Sequence, residues 1–232
     1  MAVEFSDGRI TALVPDKLQN VRVSREGRWA TGCAWGSNEV LLQTSGHDVY
    51  DYFVSTTGET ARIVDSIAAP WPRHRAQPFI VRQGPLRQAD DSTCALLPLY
   101  EQEFALIAPN REARLGMHIE PLPEAKELLE SNGRMRSSSL AKGARKGALD
   151  ARAWRGFLIV LFQGTSNYRR RILDLYDRHT LSYQGSTLLP FEASRFAIRG
   201  DTLVMIGDDD DEPLLAAYLL STTTDSAKPA RR

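Results

Sequence analysis

The chain has 232 residues, 42% hydrophobic and 25% charged, and its 29 basic and 29 acidic side chains cancel. That length can bury a substantial core, and the zero balance excludes the broad field of a protein built for nucleic acid or anionic membranes. Apolar runs fall short of the roughly 20 residues that span a bilayer as a helix. The first eight residues lack the basic-then-apolar order of a secretory signal, so the chain reads as soluble and untargeted.

Strand signals dominate: short β-branched or aromatic runs bounded by Gly, Pro, Asn, Asp and Ser. Strands are predicted over 2–5, 9–14 and 19–24. Hairpins follow at 28–35 with 39–44, through Gly36-Ser37-Asn38, and at 49–55 with 60–67, through Thr56-Thr57-Gly58. Further strands are expected over 78–82, 93–99, 103–108, 113–119, 157–162, 169–176, 182–189, 194–199, 202–206 and 214–220. Between them, Pro123-Glu124-Ala125-Lys126-Glu127-Leu128-Leu129-Glu130 reads as a short helix. It has Pro at the first helical position, acids in the first turn and Asn132-Gly133 as C-cap. A Ser/Gly-rich basic stretch completes this excursion, 123–147, and the polar tail 221–232 reads as disordered.

One unit recurs. Asp51-Tyr52-Phe53-Val54, Phe104-Ala105-Leu106-Ile107 and Leu173-Asp174-Leu175-Tyr176 each lead through a polar turn into a second strand. Removing the excursion leaves a period of about 45 residues, which suits a four-stranded propeller blade. Such blades must stack radially to bury both faces. The expected fold is therefore all-β: about four to five four-stranded antiparallel blades over 1–220, with one short helical insertion.

The segment from Leu158-Ile159-Val160-Leu161-Phe162 through Leu173-Asp174-Leu175-Tyr176-Asp177 to Arg199-Gly200-Asp201-Thr202-Leu203 resembles the bacterial six-bladed β-propellers related to NHL-repeat proteins. Residues 28–122 share only their rhythm. Six blades of about 45 residues need roughly 270, so the resemblance implies a shortened or incomplete member. It also implies a periplasmic or extracellular setting for full-length relatives, and it brings no catalytic residues.

Candidate sites are sparse. Ser45-Gly46-His47-Asp48 sets a hydroxyl, an imidazole and a carboxylate side by side. Neighbours on an extended strand point to opposite faces, so His47 and Asp48 read as a rim loop or hydrogen-bonded turn, with ligand contact as the alternative, rather than as a catalytic set. Arg134, Arg136, Lys142, Arg145 and Lys146 make the excursion a candidate lid or docking segment. It has no aromatics for base stacking, so no nucleic-acid partner is expected. Asp208-Asp209-Asp210-Asp211-Glu212 lacks EF-hand spacing and reads as a solvated turn. His74, His118 and His179 show no ligand spacing and are expected on the surface or in loops. Trp29, Trp35, Trp71 and Trp154 are expected to fill space between blades. Cys33 and Cys94 lie in apolar surroundings and read as buried free thiols, with a disulfide as the alternative. No metal or other cofactor is called for. The function read from this pattern is a non-catalytic binding or protein-interaction scaffold for a protein or small-molecule ligand. The alternatives are a propeller hydrolase or lyase at the central channel, or a fragment without independent function.

Overall fold

A computed structural model describes the backbone of residues 2–6, 9–14, 17–23, 29–35, 39–44, 50–55, 60–68, 84–123, 125, 127–131, 136–140, 142–164, 167–209 and 212–221. Its described side chains lie chiefly within 32–43, 63–67 and 84–221. Strands make up all the regular structure among these residues, and they fall into consecutive antiparallel meanders.

Blade 1 comprises β1 (Ala2–Ser6), β2 (Arg9–Val14) and β3 (Lys17–Val23). Blade 2 comprises β4 (Trp29–Trp35), β5 (Glu39–Thr44), β6 (Tyr50–Ser55) and β7 (Thr60–Ala68). A short parallel pairing of β3 with β7 joins these two into one sheet. Blade 3 comprises β8 (Leu86–Asp90), β9 (Thr93–Leu96), β10 (Glu103–Ile107) and β11 (Ala113–Met117). A separate hairpin, β12 (Glu127–Ser131) and β13 (Arg136–Leu140), follows. Blade 4 comprises β14 (Ala148–Trp154), β15 (Phe157–Phe162), β16 (Ile172–Asp177) and β17 (Tyr183–Leu188). Blade 5 comprises β18 (Glu192–Arg199), β19 (Thr202–Asp209) and β20 (Glu212–Leu219). The first strands stand side by side in the order β1, β4, β8, β14, β18. This is a β-propeller-like array.

Period-2 alternation explains why the sheets stack face to face. On β9 and β10, Cys94, Leu96, Ala105 and Ile107 pack toward blade 2 with Cys33, Trp35 and Leu41. The alternate residues Ala95, Leu97, Phe104 and Leu106 pack toward blade 4 with Leu158, Val160 and Tyr176. Blade 4 repeats the device, since Ile159, Leu161 and Leu173 turn instead to Phe196, Leu203 and Met205 of blade 5. Central strands buried on both faces read as continuous apolar runs, as Phe157–Phe162 does. One close approach needs a glycine. A Cβ on Gly116 would lie 2.3 Å from the ring of its cross-strand partner Phe104.

Cys33 on β4 and Cys94 on β9 form a disulfide with Cα atoms 6.1 Å apart, correcting the expectation of free thiols. Two separate apolar strands meet across the seam between blades 2 and 3, a proximity that linear spacing hides. The bridge spans 61 positions, a loop whose closure removes about 4 kcal/mol of chain entropy from the unfolded state.

The predicted helix is also corrected, because Glu127–Ser131 is a strand paired with Arg136–Leu140. Asn132-Gly133, read as a helix cap, lies outside the described residues, and Asn-Gly is equally a hairpin signal. An eight-residue helix is marginal on its own, and the pairing satisfies more backbone groups. Two first strands, β8 (LRQAD) and β14 (ALDARAW), carry no prediction, because these two use Ala, Arg and Asp in place of β-branched residues. Trp35 and Trp154 are buried in seams as expected, at 7% and 5% exposure. Trp71, His74, strand 78–82 and all but the first residue of the tail 221–232 lie outside the described residues.

Polar ties link the blades at their ends. Asp150, fully buried on β14, accepts the amide N–H of Phe196 at 3.0 Å and the guanidinium of Arg152 at 2.8 Å. Arg87 of β8 lies 3.4 Å from the same carboxylate, so one side chain joins three blades. Burial, with Arg195 and Arg152 nearby, pulls the Arg87 guanidinium down to about 10, against the pull of Asp150. Arg111, Arg155 and Arg170 all have positive φ, a conformation that strains most residues. Each reaches acids on a neighbouring blade: Arg111 holds Glu39 and Asp65, Arg155 holds Asp201, and Arg170 holds Glu192 and Asp208. Arg178, in the β16–β17 turn, holds Asp90 of blade 3.

Candidate functional site

The chain leaves blade 3 after β11, and Gln102 fixes how it leaves. The Gln102 side-chain amide donates to the carbonyl oxygens of His118 and Glu120 at 2.5 and 3.1 Å. Its oxygen accepts the Leu122 amide at 2.5 Å, and its own carbonyl accepts the His118 amide at 2.9 Å. Four bonds to one residue therefore tie segment 118–122 to blade 3.

The blade 4 side of this junction follows from register. Ile172 pairs with Leu188 and Asp174 with Ser186 across β16 and β17. Alternation puts Ile172, Asp174 and Tyr176 on the face toward blade 3, while Leu173 turns to blade 5. A cavity of about 260 Å³ lies between that face and segment 118–122. Its apolar walls are Ile119, Phe162, Tyr168, Ile172 and Leu188, and its polar groups include Glu120, Asp174 and Ser186. Ile119, Tyr168 and Leu188 are 54%, 47% and 54% exposed and form an apolar rim.

Asp174 is only 1% exposed. Ser186 donates its hydroxyl to Asp174 Oδ1 at 2.5 Å, and the Tyr183 hydroxyl lies 2.7 Å from Ser186 Oγ. Burial raises the Asp174 carboxyl above the usual carboxylate range; the Ser186 bond opposes this and the Glu120 charge adds to it. Behind the wall, Tyr176 packs edge-on to Phe104 at 4.9 Å, and burial raises its phenol too.

His118 lies in the connection after β11, as the loop expectation had it, but it is buried and not on the surface. It is 2% exposed, between the rings of Phe104 and Phe162 at 5.2 and 5.1 Å. Both ring nitrogens lack a hydrogen-bond partner, and burial pulls the imidazole down to about 4. His118 is therefore neutral, and it is not paired with the Ser186 hydroxyl as a base to a nucleophile. His179 is exposed in the β16–β17 turn, as expected.

The sequence candidates are not gathered at this cleft. His47, Asp48 and Arg134 lie outside the described residues, and Arg136 is described only as backbone of β13. Lys142, Arg145 and Lys146 are exposed, and none of the three lines the cavity. The acidic run is split as a turn would split it, with β19 ending at Asp209 and β20 starting at Glu212. Among the described residues no cluster of three or more His, Cys, Asp or Glu could hold a metal, and no helix is long and apolar enough to cross a membrane. Asp174 belonged to the repeat signature in the sequence. The available signal was its polarity within Ile172–Tyr176, a strand otherwise apolar.

No family model matches this chain, and no curated protein matches it. Among solved structures it is similar to BamB from Moraxella catarrhalis, at 9% identity and a TM-score of 0.40, over 88% of this chain and 68% of that one.

Proposed function

We propose that this chain is a non-catalytic binding scaffold of propeller type, and that it takes its ligand in the cleft between segment 118–122 and blade 4. The observation that carries this reading is the cleft itself. An apolar cavity with a few convergent polar groups and a perturbed buried carboxyl is the ordinary form of a binding site. The walls stand on a sheet held by seams on both faces, so they are preorganised. The excursion 123–147 follows segment 118–122 directly in the chain, and Arg134, Arg136, Lys142, Arg145 and Lys146 keep their reading as a candidate docking segment. His47 and Asp48 keep their reading as a rim loop.

The enzyme reading needs a nucleophile and base, or several convergent acids. Ser186 is bound to Asp174 and Tyr183 instead, and His118 contacts neither. Kinship with six-bladed NHL-like propellers rests on residues 150–220. The Cys33–Cys94 bridge favours an oxidising compartment, in line with that kinship. A single domain over 1–220 suits the linked seams.

The test is selection of displayed peptides on the purified, oxidised protein. Selected peptides should lose binding to Leu188→Glu at the rim and keep it for Leu215→Glu on β20, which is 70% exposed. Equal binding to both variants would remove the cleft from consideration.

A further inference from the structure

The chemistry of the cleft narrows what it can hold. Its volume, about 260 Å³, falls below the range of about 300–1,000 Å³ typical of drug-sized ligands. One side chain or a small molecule fits that scale. Five walls are apolar or aromatic, while the acidic lining residues are two carboxylates, Asp174 and Glu120, with no Lys, Arg or His among the lining. An anion entering there would meet like charge on both. A neutral apolar group would fill the volume and leave a buried carboxylate uncompensated, which is costly. Two carboxylates and a hydroxyl among apolar walls also fall short of the about six oxygens that calcium requires. Phe162 and Tyr168 add aromatic rings to the lining, and such rings can attract cations.

Resting on the cleft being the binding site, we propose that it takes an apolar stem ending in a single positive charge, with Asp174 as counter-ion and Glu120 as the rim charge that steers it in. A lysine side chain and a free alkylamine share that chemistry. The stem lies along Ile119, Ile172 and Leu188. Ser186 holds Asp174 Oδ1 in place and is a positioning residue.

The experiment titrates the full oxidised chain with n-hexylammonium, 1-hexanol and hexanoate, following the methyl resonances of Ile119 and Ile172. Hexylammonium is expected to bind at least about tenfold more tightly than hexanol, the difference one charge-assisted hydrogen bond makes. Hexanoate should leave the resonances unmoved. Asp174→Asn should reduce the amine to the affinity of the alcohol, and Glu120→Gln, on the rim, should weaken the amine alone by about threefold. Equal affinity of amine and alcohol, or an amine preference that survives Asp174→Asn, overturns the cation reading and leaves the cleft standing. If Asp174→Asn does not fold, an amine preference unchanged in Glu120→Gln overturns it instead. If all three probes leave the resonances unmoved, the cleft reading falls and takes this one with it. N-acetyl-lysine methylamide identifies the source. Binding like hexylammonium supports a protein side chain, and exclusion with hexylammonium still bound supports a free amine.

Discussion

The two faces of blade 4 are built from the same four strands and behave differently. Toward blade 5, Ile159, Leu161 and Leu173 close against Phe196, Leu203 and Met205 in one apolar cluster, with polar ties to Asp150, Asp201 and Glu192 around it. Toward blade 3, Leu158, Val160 and Tyr176 close the same way. Past Tyr176 that seam opens into a cleft holding Asp174 and Ser186, with His118 sealed beside it. A single alternation in β16 produces both outcomes. A face becomes a site where its neighbour stops covering it and polar residues take over the inward positions.

The largest effect should come from Asp150, which serves both seams. Asp150→Ala leaves Arg87, Arg152 and the Phe196 amide without their shared acceptor, and should cost about 3–5 kcal/mol in urea unfolding. A loss under about 1 kcal/mol would mean that the seams hold without it. Next, Leu161→Ala on the closed face should cost about 3 kcal/mol by cavity formation. It should leave the cleft resonances in place, whereas a matching shift at Ile172 would show that the faces are coupled.

His118 distinguishes the faces by pH. Its ordinary value is 6.5 and its folded value about 4, so between these the unfolded chain binds the extra proton. The contribution of the neutral imidazole is therefore fully present above pH 6.5 and is lost as pH falls toward 4. That loss amounts to about 3 kcal/mol. His118→Leu should flatten this acid limb when stability is followed from pH 7 to 4; an unchanged limb would place the titration elsewhere.

The smallest effect has the opposite sign. The folded Asp174 carboxyl is raised above 3.8, so its stability contribution is full below that pH and is lost as pH rises through the folded value. Asp174→Asn should remove this loss and be at least as stable as the parent at pH 7. A clear destabilisation at pH 7 alone would show a carboxylate already paired in the folded state.

Most of the outer blade strands were legible, because β10, β15 and β16 are apolar or aromatic runs between turn residues. Of the first strands, β1, β4 and β18 were legible too, and β8 and β14 were not. β8 and β14 carry Arg, Ala and Asp, since close approach there favours small side chains and the ties at Asp150 favour charge. The hairpin at 127–140 was misread because a short Leu/Glu run before Asn-Gly satisfies both helix-cap and hairpin rules. Of the cleft, Asp174 lies inside the recurring strand unit, yet nothing in its sequence neighbours marks it as buried in one cleft with Glu120. The excursion drew attention through its charges, whereas the residues that build the wall are the uncharged ones at its root.

What the sequence by itself determined is the strand rhythm and hence the propeller-like array, since alternation and turn chemistry act between near neighbours along the chain. Tertiary structure alone decided the Cys33–Cys94 bridge, the burial of His118 and the meeting of Asp174 with segment 118–122. Each depends on which blade stands beside which, and that proximity is set by packing between residues far apart in the chain.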